Sequence, residues 1–161
     1  MHHQILTKEQ LEFLPYLSNF SRTYYLVEGT AIALHIGHRR SVDLDLFTQS
    51  KLRKSAINSK LAEFPFKRVK LFEDIDQLHL IINGIKITFL SFPYPIDHPV
   101  KVERYIKIPT LLTLSSMKAF ALGRRAKWKD YVDLYFILRD YYTISEIRKE
   151  AEKNFGDFFS E

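Results

Sequence analysis

The chain has no cysteine among its 161 residues. That excludes a disulfide framework, a thiolate zinc site and any cysteine nucleophile. Histidine is scarce as well: of six, two stand at His2 and His3 beside the start of the chain, so a histidine-built metal centre has little to draw on. No apolar run approaches the roughly 20 residues that a membrane-spanning helix needs, and no signal peptide follows Met1. A soluble, cytoplasmic protein with no membrane contact is expected. Internal repeats and low-complexity tracts are also missing.

What is present describes a folded globule. Hydrophobic residues make up 46% and aromatics 14% of the chain, enough to build a core and too much for disorder. The length suits one domain, or one α/β core with a helical appendage. A formal net charge of +5 favours an anionic partner such as nucleotide or RNA, although it favours many others too.

The most informative stretch is Tyr24 to Phe47, YYLVEGTAIALHIGHRRSVDLDLF. An apolar strand, Tyr24–Val27, runs into Gly29-Thr30, and a short helix is expected from Ala31 to Ile36, stopped by Gly37. A helix start offers free N–H groups and the positive dipole end, where phosphate oxygens settle, and glycine lets the backbone approach them. A turn glycine followed by a capping threonine explains the same residues and is compatible with that reading. A basic turn, His38-Arg39-Arg40, then leads to a strand carrying Asp43 and Asp45. Residues two apart on a strand share a face, so these carboxylates should project together, roughly 6 to 7 Å apart at the backbone. Such a pair suits Mg²⁺, which is commonly held by one or two carboxylates and substrate phosphates. A solvated polar face of an edge strand is the plainer explanation.

Elsewhere the pattern alternates between helix and strand. Thr7 to Gln10 resembles a capping box opening a helix over Lys8–Phe20, kinked at Pro15. A second amphipathic segment spans Leu52–Phe64. Three β-like runs follow, Lys67–Phe72, Leu78–Ile82 and Ile85–Phe92, the last two joined by the hairpin signal Asn83-Gly84. Glu73, Asp74 and Asp76 read as a solvated loop. The proline-punctuated linker Pro93–Pro99 separates this part from a helical C-terminal half. There Thr110 or Thr113 opens a helix whose Lys118, Ala121 and Arg125 share one side, and Gly123 weakens or ends it. Another helix begins near Lys127 and carries Lys129, Asp130 and Asp133. Asp130 near its start suits the helix dipole, and Asp133 sits four residues after Lys129 as a pairing partner. A charged helix over Ser145–Asn154 looks peripheral.

Gly29-Thr30-Ala31, the turn at residues 38–41 and Asp43-Leu44-Asp45 resemble the first motifs of the nucleotidyltransferase superfamily, specifically its AbiEii/AbiGii toxin-like branch. KAFALGRRAKWKDYVDL, Lys118 to Leu134, is similar to that branch's downstream motifs. The resemblance implies an α+β fold, a nucleotidyltransferase-type mixed β-sheet flanked by helices, with residues 1–98 as the core and 99–161 as a helical part packed on it in one compact unit. It implies transfer of a nucleoside monophosphate from an NTP to a hydroxyl on RNA, such as tRNA, or on protein, with Mg²⁺ in a two-metal arrangement. It also implies a possible cognate antitoxin. In this scheme Asp43 and Asp45 bind metal and, with Lys118, form the catalytic set. Gly29, Thr30, Arg40 and Arg125 bind nucleotide, while Thr88, Lys129, Asp130 and Asp133 support the site.

Two departures stand out. Relatives commonly show Gly-Gly-Thr where this chain has Glu28-Gly29-Thr30, placing an anion beside the phosphate cradle. The superfamily's third carboxylate falls at Thr88, which offers one neutral oxygen and no useful basicity at pH 7. Two functions of different class therefore stand: an active transferase, and a degenerate module that binds nucleotide or a partner without turnover. A third, a basic RNA-binding domain, rests on charge and on Lys127-Trp128-Lys129, although a tryptophan near a helix start is more often core.

Overall fold

The computed structural model describes residues 1–125 and 127–156. Residue 126, inside the downstream motif, and residues 157–161, at the end of the helical part, lie outside the described residues. The fold is α+β, built on a five-stranded mixed sheet. Its strands are β1 (Tyr25–Val27), β2 (Leu44–Thr48), β3 (Arg68–Glu73), β4 (Gln77–Ile82) and β5 (Ile85–Ser91), in spatial order β1-β2-β5-β4-β3. β2 and β5 are parallel; every other neighbouring pair is antiparallel.

Side-chain alternation divides the sheet into two faces. Leu44, Leu46, Leu78, Leu80, Ile87 and Phe89 are buried on one face. That face is covered by α1 (Lys8–Phe13), by a 3-10 helix over Leu14–Phe20 and by α3 (Lys54–Leu61) with the turn after it. Aromatic edges close the layer, with Phe20 5.1 Å and Tyr24 5.3 Å from Phe89 between ring centroids. The opposite face carries Asp45, Thr88, His79, Gln77 and Lys86, all of which line a cleft.

Most local signals resolve as their chemistry requires. Thr7 and Gln10 form a reciprocal capping box at α1. The expected single helix to Phe20 instead changes to the tighter 3-10 form at Leu14, because Pro15 has no N–H to continue the α-helical ladder. Asn83 and Gly84 both have positive φ, 52° and 75°, as a two-residue hairpin turn of matching twist demands. The helix after β1, α2, spans Glu28–Ile36 and ends at Gly37 in the left-handed conformation. It starts three residues earlier than the pattern predicts, so Gly29 and Thr30 lie in its first turn rather than ahead of it.

The C-terminal part is not purely helical. It opens with a small hairpin of β6 (Val100–Val102) and β7 (Ile106–Ile108), whose alternating residues bury Val102, Ile106 and Ile108. Then come α4 (Leu111–Leu122), capped by Thr110, α5 (Trp128–Asp140) and α6 (Ile144–Phe155), capped by Thr143. α6 is not peripheral. Ile147, Ala151 and Phe155 make a stripe at spacing four that is buried, and Phe155 stacks on Phe120 of α4 with centroids 4.1 Å apart. Nor is Trp128 core: it is 80% exposed. If α6 belongs to the folded core, Phe155→Ala should cost about 3 kcal/mol or more, read as a lower urea midpoint with an unchanged slope. A loss below about 0.5 kcal/mol would mark the helix as a peripheral addition.

Candidate active site

A cleft of about 380 Å³ opens over the polar face of the sheet. Its lining mixes the acids Glu28, Asp43, Asp45 and Asp130 with the cations Arg39, Lys86, Lys118, Arg124, Arg125, Lys127 and Lys129. The floor comes from β2, β4 and β5, and the far wall from α4 and the start of α5.

Asp45 sits in β2 and Asp43 one residue ahead of that strand, both half-buried. The backbone there is fastened from two directions. Thr30 Oγ1 is hydrogen-bonded to Ser41 Oγ at 2.7 Å and to the Asp43 carbonyl, which also accepts from Gln10 Nε2 at 3.4 Å. Thr30 is thus 1% exposed and spent on holding the Asp43 segment, rather than turned toward a ligand. Asp45 is an unsettled acid. Burial, then the negative charges of Glu28 and Asp43, push its carboxyl up to about 7, against a smaller opposing pull from Lys118 and Arg125.

Lys118 occupies a carboxylate cage instead of a free, phosphate-facing position. Its ammonium donates to Glu28 Oε2 at 2.9 Å and Asp130 Oδ1 at 2.8 Å, and lies 3.6 Å from Asp133 Oδ2. Burial alone would lower its pKa, but Glu28, Asp130 and Asp133 together raise it, so it stays charged. Asp130 also accepts from the Lys127 backbone N–H at 3.2 Å, serving the start of α5 as its position suggests. Arg125, more exposed, stands 3.8 Å from Glu28 Oε1. Glu28 itself has φ of +62°, a left-handed backbone that glycine adopts freely and a glutamate adopts at a cost of order 1 kcal/mol. This is a conformational reason for glycine at the corresponding place in relatives.

Asp133 is fully buried and does not pair with Lys129. Its carboxylate accepts from His38 Nε2 at 2.6 Å and from Arg39 Nε at 2.7 Å and Nη2 at 3.0 Å. Burial would raise its pKa, but the His38 and Arg39 hydrogen bonds and the Lys118 charge hold it below the usual carboxylate range. Of the basic turn, therefore, it is Arg39 that faces the cleft, while Arg40 is exposed and away from the lining. Gly29 makes room for this: a Cβ there would lie 2.3 Å from Arg39 Nη2, a guanidinium already committed to Asp133.

Thr88 lines the floor beside Asp45, its register partner across the parallel β2–β5 pair. On its other side stands His79, which composition-level reasoning passes over. The signal was available. With Asn83-Gly84 as a two-residue turn, Ile82 pairs with Ile85, and counting outward brings His79 opposite Thr88.

Comparison with known proteins agrees with this architecture. Residues 18–161 match the family described as nucleotidyl transferase AbiEii toxin, Type IV TA system. An uncharacterized protein of Aquifex aeolicus (strain VF5) is 31% identical over 156 residues, covering 93% of this chain and 76% of its own length. Among solved structures, JHP933 from Helicobacter pylori superposes with a TM-score of 0.56 at 21% identity, over 84% of this chain and 68% of that one. MenT4, a nucleotidyltransferase toxin from Mycobacterium tuberculosis H37Rv, gives 0.57 at 14% identity, over 88% and 60%. At these identities the structural matches establish a shared fold.

Two measurements check the electrostatics. Removing one partner from a buried ion network leaves the others uncompensated, so Asp133→Ala should cost about 3 to 5 kcal/mol in urea unfolding; a change under 1 kcal/mol would show that His38, Arg39 and Lys118 do not depend on it. Asp45 should behave oppositely. Its folded pKa of about 7 lies above the unfolded value, so its charge opposes folding increasingly as pH rises from about 4, and fully above about 7. Asp45→Asn should therefore stabilise the protein by about 1 to 3 kcal/mol at pH 8, and by less at pH 5. Equal thermal midpoints at both pH values would contradict that charge crowding.

Proposed function

The chain belongs to the nucleotidyl transferase AbiEii toxin family, and from that premise we propose that it transfers a nucleoside monophosphate from an NTP to a hydroxyl of RNA, tRNA above all, or of a protein. The observation that carries this reading is that one cleft is lined by the Asp43/Asp45 pair together with seven lysines and arginines. A triphosphate suits such a lining, with its charge met by lysine and arginine and its metal by the carboxylates. Catalysis of phosphoryl transfer is mostly positioning plus electrostatic stabilisation, and both are supplied here by the chain's own residues.

The donor set suits Mg²⁺. Among the described residues no group of three or more histidines and carboxylates is arranged to hold an ion, so a site here is the Asp43/Asp45 pair completed by substrate phosphates and water. Burial, then the charges of Glu28 and Asp43, raise the Asp45 pKa, and a cation beside the carboxylate would favour its ionised form. When bound, the metal supplies Lewis-acid stabilisation of charge on the phosphates.

The remaining roles follow from the cage. The N–H groups at the start of α2, with Gly29 among them, meet phosphate oxygens. The triphosphate takes the place of the Glu28 carboxylate on Lys118 and Arg125, making Lys118 a phosphate-facing cation once substrate enters. Asp130 then keeps Lys118 in position, and Asp133 holds Arg39 over Gly29. Lys129 and Lys127 flank the exposed Trp128, a surface on which a base of an RNA acceptor can stack. The family's toxin–antitoxin setting supports a cognate antitoxin as a further partner. No helix among the described residues is long and apolar enough to cross a membrane.

The test is incubation with each labelled NTP, Mg²⁺ and either total tRNA or a cell lysate. Label should enter an acceptor, and Asp43→Ala/Asp45→Ala should lower that by on the order of 10²-fold or more. Nucleotide binding without transfer to any acceptor would instead establish a non-catalytic binding module.

A further inference from the structure

Three strands place three polar side chains in one row across the cleft floor. Asp45 on β2 pairs in register with Thr88 on β5, and Thr88 pairs with His79 on β4. Neighbouring strands lie about 4.8 Å apart, so His79 stands roughly 10 Å from Asp45 at the backbone, with Thr88 between them. All three line the same cleft.

The hydrogen bonds of His79 give it a direction. Its Nε2 lies 2.8 Å from Gln77 Oε1, an acceptor, which assigns the ring proton to Nε2. Nδ1 is left with a free lone pair, and it faces Thr88 Oγ1 at 3.4 Å. That is long for a hydrogen bond, and of the kind that tightens when substrate closes a site. Phe72 packs edge-on against the ring at 5.6 Å and fixes its plane. The charged groups around it are Lys86 on β5, Asp74 in the β3–β4 connection, and Lys127 and Arg125 from the helical wall. Burial first, then Lys86, lower its pKa below the ordinary histidine value, with only Asp74 opposing, so the imidazole is neutral at pH 7.

We propose that Thr88 and His79 together do what a carboxylate at position 88 would do: Thr88 Oγ1 receives the acceptor hydroxyl's proton while passing its own to His79 Nδ1. The inference rests on the nucleotidyl-transfer reading above. In the step, the acceptor oxygen forms a bond to the α-phosphorus of the NTP. The bond from that phosphorus to the bridging oxygen breaks, and pyrophosphate leaves with the electron pair. The acceptor's proton moves to Thr88 Oγ1 as the threonine's proton moves to His79 Nδ1, and the resulting imidazolium is held through Nε2–H by Gln77. Thr88 touches the reacting hydroxyl; His79 acts through it.

The experiment measures kcat and KM for labelled NTP in the full chain, with whichever acceptor takes up label, for His79→Gln, Thr88→Val, Thr88→Asp and the double variant His79→Gln/Thr88→Asp. His79→Gln and Thr88→Val should each lower kcat by roughly 10²-fold with KM for NTP little changed. Thr88→Asp should restore most of that loss in the His79→Gln background, because a carboxylate then accepts the proton directly. A histidine that only braces the sheet would not be rescued by an acid on the next strand. Undiminished kcat in His79→Gln, or no rescue in a double variant that still binds a non-hydrolysable NTP analogue, overturns the Thr88–His79 pair and leaves the transferase reading standing. Should Thr88→Asp not fold, combining His79→Gln with Thr88→Val decides: losses that do not add support the pair, and losses that multiply overturn it. Absence of label transfer by the unaltered protein to any acceptor overturns the transferase reading, and this proposal falls with it.

Discussion

Everything in the cleft depends on the buried carboxylate of Asp133. It receives His38 and Arg39 from the loop after α2 and lies 3.6 Å from the Lys118 ammonium of α4, so one anion joins two separate stretches of chain to α5. Buried ion pairs of this sort add little net stability over apolar packing, because desolvation consumes the Coulombic gain. Their effect is selective. Any arrangement that separates α5 from the α2–β2 loop strands an unpaired charge in the interior, and that is costly enough to specify how the C-terminal helices seat on the sheet.

From that seating the charge pattern of the cleft follows. Lys118 is brought between Glu28 and Asp130, Arg39 is drawn across Gly29, and Arg124, Arg125, Lys127 and Lys129 line the same cleft as Asp43 and Asp45. Burial first, and then the charges of Glu28 and Asp43, push the Asp45 carboxyl up to about 7, while the hydrogen bonds from His38 and Arg39 hold Asp133 below the usual carboxylate range. The two aspartates differ in their surroundings: Asp133 is satisfied by His38, Arg39 and Lys118, while Asp45 is buried beside Glu28 and Asp43.

Much of this was legible in the sequence, and the rest was hidden for identifiable reasons. Period-two alternation with Asn83-Gly84 yielded β4 and β5, Thr7 marked the start of α1 and Thr110 was one of two candidates for the start of α4, because these signals are local. The choice between Arg39 and Arg40 was not local. In an irregular loop no periodicity sets side-chain direction, and it took the distant Asp133 to select Arg39. The β6–β7 hairpin was obscured by its brevity, with three residues to a strand, and α6 by charges that surround a narrow stripe of Ile147, Ala151 and Phe155. Trp128, the first residue of α5 after its N-cap Lys127, is exposed between two lysines, against the general preference of tryptophan for burial.

The acids of the region differ in what surrounds them. Asp133 is held by His38, Arg39 and Lys118 and ties α5 to the rest of the fold. Asp43, Asp45 and Glu28 crowd negative charge at a cost to the fold, with Glu28 also held at a φ of +62°. Strain and uncompensated charge persist in native structures where the surrounding contacts over-determine them, and they concentrate where a ligand is to be bound. The buried network is that surrounding contact. It is built from both parts of the chain, with His38 and Arg39 from the Tyr24–Phe47 stretch and Lys118 and Asp133 from the C-terminal helices.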